Sequence, residues 1–103
     1  MNKRVDILAH AMQCVCGERE QTYGKPERNF EKIAEFWSTY TGCAIDAADV
    51  AAMLALLKIA RISSGNYKED NWVDLAGYAA CGGEIEAERA EKGGEVWHRT
   101  NEC

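Results

Sequence analysis

Lys58 and Arg61 stand three residues apart, and Asp70 and Asp74 four apart, so each pair shares one face of a helix. About eight residues separate the two helical segments, which makes an antiparallel hairpin the expected connection. Folding the chain there sets Arg61 level with Asp70 and Lys58 level with Asp74, with Trp72 and Tyr78 nearby. Such a corner has two chemical uses. As a latch it fixes the register of the hairpin, with each exposed pair worth roughly 0 to 1 kcal/mol. As a ligand site it offers cations for phosphate, acids for ribose hydroxyls or Mg²⁺, and rings for a base.

A second cluster precedes the helix that Pro26 opens: Arg19, Tyr23, Gly24, Lys25, Arg28 and Asn29. A helix start binds anions readily, so Tyr23, Lys25 and Asn29 join Lys58, Arg61, Asp70, Trp72, Asp74 and Tyr78 as candidate ligand-binding residues. The plain alternative is a solvated turn with Tyr23 packed down on the bundle. The five cysteines (Cys14, Cys16, Cys43, Cys81, Cys103) are odd in number and irregular in spacing, which suits neither a disulfide framework nor zinc. Two thiols at positions 14 and 16 of a helix point about 200° apart. His10 and His98 have no partner at ligand spacing.

Four helices must position these residues. Val5, Leu8, Met12 and Val15 mark an amphipathic helix over residues 3–16, ended by Gly17. Residues 17–25 read as a loop. Pro26 suits the first turn of the next helix, whose stripe is Phe30, Ile33, Ala34, Trp37 and Tyr40, closed by Gly42. Asp46 caps the third helix, with Asp49 in the capping-box position. Residues 50–57 (VAAMLALL) are apolar on every side, which predicts a central helix surrounded by the others. Asp70 is the expected cap of a fourth helix running to about Lys92. Its inner face is small: Ala76, Gly77, Ala79, Ala80, Gly82 and Gly83. Adjacent glycines cost about 1 kcal/mol each against alanine, which points to close approach of another helix or a second subunit.

The expected architecture is therefore an all-α, four-helix bundle-like domain over residues 1–92, with a tail over residues 93–103. One domain of 103 residues has little core to spare, so homo-oligomerisation is expected. The net charge of −5 disfavours DNA or RNA as a partner. No apolar run approaches the roughly 20 residues of a membrane span, and Asp6 and His10 interrupt any signal-peptide core. The reading is a cytoplasmic protein with no membrane partner.

The runs YGKPERNF (residues 23–30), LLKIAR (56–61) and DNWVDLAGY (70–78), with Ile33-Ala34, Trp37, Asp49-Val50 and Met53 between them, resemble a family of small phage and prophage domains without a settled function. The resemblance covers about residues 5–82. That family is similar, more distantly, to phage domains linked with nucleotide modification and to MazG-like all-α nucleotide pyrophosphohydrolases. Those enzymes resemble helical bundles of two or four subunits. They hold Mg²⁺ between an ExxE pair and an ExxD pair, and release pyrophosphate from a nucleoside triphosphate. Carried over, the places of the first pair hold Lys58 and Arg61, and Asp70 and Asp74 resemble the metal-binding half. Asp49 lies about 13 Å from Lys58 by helical rise, too far to share an ion with that pair.

The leading expectation is a phage-type protein that binds a nucleotide or cyclic nucleotide without cofactor, with Lys58 and Arg61 on phosphate, sequestering a host defence signal in the infected or lysogenic cell. The alternatives are a divergent Mg²⁺-dependent pyrophosphohydrolase using Asp70 and Asp74, with Asp49 or Glu84 from a neighbouring subunit, and a non-catalytic helical interaction module.

Overall fold

The computed structural model describes residues 3–17 and 24–93. Arg19 and Tyr23 of the second cluster, and residues 94–103 of the expected 93–103 tail with His98 and Cys103, lie outside them. The described residues form four helices and no strand: α1 (Lys3–Cys16), α2 (Pro26–Thr41), α3 (Ala47–Ser63) and α4 (Glu69–Glu91).

The helix ends follow the local signals. Gly17 N–H bonds the carbonyl of Gln13 at 3.0 Å. Pro26 opens α2, and Gly42 closes it at φ 74°, a conformation that favours glycine. Asp46 and Asp49 form a full capping box: Asp46 Oδ1 accepts from the Asp49 N–H at 2.8 Å, and Asp49 Oδ2 accepts from the Asp46 N–H at 3.1 Å. One expected cap is displaced. Helix α4 starts at Glu69 with Lys68 as its N-cap, so Asp70 sits inside the first turn and caps nothing. There its charge meets the positive end of the helix dipole instead.

The hydrophobic cluster joins Phe30 and Ala34 of α2, Ala47, Val50 and Ala51 of α3, and Cys81 and Ile85 of α4, with Val15 of α1 against it. Ser38 Oγ of α2 pins the turn into α3 by bonding both the N–H and the carbonyl of Ile45 at 3.0 Å. Helix α4 is the surface on which the other three converge. A Cβ built on Gly82 would lie 3.1 Å from Ala51 Cβ, and one on Gly77 would lie 3.2 Å from Val15 Cγ1. Those two glycines let α3 and α1 approach. Gly83 does not serve this purpose: nothing lies within 4 Å of its position.

Two expectations about packing are corrected. In α1, the residues turned inward are Ala11, which is buried, with Ile7 and Val15 half-buried. Val5, Leu8 and Met12 are exposed. The helix rests on α4 through its small residues, and that rotates its larger apolar side chains outward. Helix α3 contains the most enclosed side chain of the core, Val50, yet it is not surrounded. Met53, Leu56, Leu57 and Ile59 are 41%, 62%, 45% and 48% exposed. Helices α2 and α4 cover one side of it and leave the other open.

Candidate functional site

The α3–α4 hairpin forms with a five-residue connection at 64–68. Lys58, one of the few buried polar residues, turns inward on α3, and its Nζ lies 2.7 Å from Asp74 Oδ2. Asp74 is half-buried. The expected pairing of Lys58 with Asp74 is therefore present, and it latches the two helices across their seam.

The second expected pair is not formed. Arg61 and Asp70 are both exposed, and none of the ion pairs among the described residues joins them. Arg61 stands in the last turn of α3, and its long side chain gains more from hydration than from a pair in open solvent. The neighbouring Glu69 is met instead by Lys3 Nζ at 3.6 Å and by His10 Nδ1 at 3.4 Å.

The aromatic candidates also separate. Trp72 is two residues from both Asp70 and Asp74, so it projects about 160° away around α4. It is 43% exposed on that other side. Tyr78 turns into the bundle, where its ring centroid lies 6.4 Å from that of Phe30. Tyr78 is thus a half-buried packing residue next to the core.

Lys25 and Asn29 are exposed at the start of α2, and Lys25 Nζ lies 3.9 Å from Glu88 Oε1. Glu88 is 14 residues beyond Asp74, about 21 Å along α4. The two candidate clusters therefore occupy opposite ends of α4, and one small ligand does not span them. Among the described residues, no three His, Cys, Asp or Glu side chains are grouped to hold a metal ion.

Sequence reasoning missed the polar contacts at the far end. Arg89 Nη1 bonds Asp46 Oδ2 at 3.4 Å, tying α4 to the α3 cap. Glu27 and Glu88 face each other across α2 and α4, and each moves the other's titration. A hydrogen bond to Glu88, then burial and the charges of Glu88 and Glu31, raise the Glu27 carboxyl above its ordinary value. The same hydrogen bond from Glu27 and the charge of Lys25 hold Glu88 below its own. A raised native value means that Glu27 stabilises the fold at low pH and loses that contribution as pH rises through it. Glu27→Gln keeps a donor facing Glu88 at every pH. Its melting temperature should exceed the parent's at pH 7, and the two should converge as pH falls and Glu27 takes up its proton. A constant offset as pH is lowered would remove the Glu27–Glu88 contact from the account.

Fold and corner together define a small all-α protein built on an ion-paired helical hairpin. No described helix is long and apolar enough to cross a membrane. The profile of a domain of unknown function (DUF6378) matches residues 6–86, so the chain belongs to that family. It is 40% identical over 91 residues to the Gene 55 protein of Mycobacterium phage D29, and 40% identical over 97 residues to the Gene 55 protein of Mycobacterium phage L5. The alignments cover 88% and 90% of this chain but 60% and 62% of those relatives, so the chain spans about three fifths of their length. No solved structure matches.

Proposed function

We propose that this chain works as a helical interaction module in the phage setting of its relatives. The open face of α3 carries the reading. Between Asp49 and Arg61, its outward residues are Ala52, Met53, Leu56, Leu57, Ile59 and Ala60, all apolar and all exposed. A contiguous apolar patch of this extent, comparable with the largest on a typical monomer, often serves function. The Lys58–Asp74 latch supports the same reading, because it fixes the helix that presents the face.

Leu56→Glu tests it at low micromolar concentration. A residue on a presented surface should tolerate the charge: helicity is kept, stability stays within about 0.5 kcal/mol, and fluorescence of a hydrophobic dye bound to the parent falls several-fold. Loss of the helical signal would place Leu56 in the fold's own core and end the proposal.

A second reading is nucleotide binding in the host cytoplasm, with a cyclic-nucleotide defence signal as one ligand to be sequestered. It is favoured by Arg61, exposed at the corner and outside every ion pair among the described residues, and by the more distant similarity of the phage family that LLKIAR and DNWVDLAGY resemble to nucleotide-modification and MazG-like domains. In it Arg61 contacts phosphate, and Lys58 is held back by Asp74. A thermal-shift panel of mono-, di- and cyclic nucleotides checks it, since a ligand at 100 times its Kd adds about 2.7 kcal/mol. A shift that survives Arg61→Ala, or no shift at all, counts against the corner. The Mg²⁺-dependent hydrolase reading has less support: Lys58 already neutralises Asp74, which leaves Asp70 to find further metal ligands on a second copy.

A further inference from the structure

The open face of α3 has an internal symmetry that names its partner. Residues 52–60 read AMLALLKIA, and inversion about Leu56 exchanges Ala52 with Ala60 and Met53 with Ile59. These residues fall on the outward side of α3, while Lys58 turns inward to Asp74. We infer that this face is an interface with a second copy of the chain, α3 packing antiparallel on α3 across a two-fold axis at Leu56.

The inference rests on the interaction-module reading and supplies its partner. In a two-fold interface each residue meets its mate's counterpart, so the face must be complementary to itself. Antiparallel pairing about Leu56 meets that condition over most of the face: alanine opposes alanine at both ends and lets the helices close, methionine opposes isoleucine, and leucine opposes leucine at the axis, while Leu57 falls at the level of the half-buried Ala55. A face evolved for an unrelated partner has no need of this symmetry. The pairing buries no charge, because the outward side carries none between Asp49 and Arg61. That agrees with the depletion of charge at interface cores.

The four large side chains and their flanking alanines expose on the order of 450 Å² per chain, so a symmetric pair buries on the order of 900 Å², the size of a weak, reversible interface rather than an obligate one. The glycine-rich side of α4 has no comparable claim, because Gly83 faces open space without large side chains around it.

Sedimentation equilibrium on the full chain tests the inference, with Met53→Lys and Ile59→Glu as separate variants. The parent should sediment at the mass of two chains. Each variant alone should sediment at the mass of one, with unchanged helical circular dichroism. Mixed in equal amounts, the two should return to the two-chain mass, because Lys at 53 on one copy then faces Glu at 59 on the other. A parent that stays a single chain into the high micromolar range overturns the inference. So does a two-chain mass unaffected by either variant, or a mixture that fails to reassociate. A single-chain parent whose dye signal is nevertheless lost in Leu56→Glu overturns the second copy while leaving the interaction face standing. If Leu56→Glu unfolds the chain, both readings fall together.

Discussion

Replacing Gly82 with leucine is expected to destabilise the fold by about 2 kcal/mol, a fall in Tm on the order of 10 °C for a domain of this size. A Cβ at Gly82 would lie 3.1 Å from Ala51 Cβ. Both atoms are fixed to helix backbones, so neither moves aside by rotating a side chain. A leucine there forces α3 and α4 apart beside Val50, Cys81 and Ile85, where the core is closed. Overpacking of this kind costs about 3 kcal/mol, and the better helix propensity of leucine returns about 1 kcal/mol. Gly83→Ala is the internal control. Its position is open, so it should gain about 1 kcal/mol from propensity. Thermal and urea unfolding of both variants measure the contrast. Equal behaviour of the two would show that α3 does not approach α4 at Gly82.

Removing the acid from the latch should cost nearly as much. Asp74→Ala leaves the Lys58 ammonium enclosed at the helix seam without its anion, 2.7 Å away in the parent. An exposed pair is worth roughly 0 to 1 kcal/mol, whereas breaking a fully buried one costs about 3 to 5 kcal/mol. Lys58 is largely enclosed and Asp74 half-buried, so about 2 kcal/mol is expected. Lys58→Met removes the charge with its desolvation and keeps the aliphatic bulk, and should cost less. Combining the two should recover part of the loss, giving a coupling energy of about 1 kcal/mol in a double-mutant cycle. Arg61→Ala, by contrast, should stay within about 0.5 kcal/mol. Independent, additive losses at positions 58 and 74 would dismiss the latch.

These two contacts also show how much of the site was legible. The register of the hairpin follows from helical spacing and a short connection, so Lys58 opposite Asp74 is readable from the sequence. Arg61 opposite Asp70 obeys the same spacing but does not pair. Spacing gives level, whereas pairing depends on burial, and both residues stand in solvent. Trp72 looked close to the acids because it is close in number. A helix turns 100° per residue, and two residues carry the ring to the other side. The Glu27–Glu88 contact had no local signal, because it joins residues 61 positions apart at the ends of two helices.

What the sequence by itself determined were the local features. Four helices, the Pro26 start, the αL close at Gly42 and the Asp46–Asp49 capping box each depend on neighbouring residues and on backbone geometry that those residues dictate. Family membership lies in the motifs as well. The tertiary structure decided which faces are used. An all-apolar α3 was read as a helix surrounded by its own chain, and the stripe of α1 as an inward face. Periodicity marks a face as apolar but does not name what covers it. Helix α1 settles on α4 at Gly77 through Val15, which sends Val5, Leu8 and Met12 outward. With α2 and α4 on one side of α3, no described helix is left for the other, and residues 52–60 keep an uncovered apolar surface. The corner with which the sequence reading began holds one buried-side ion pair, Lys58–Asp74, and the apolar surface beside it is the feature that only packing revealed.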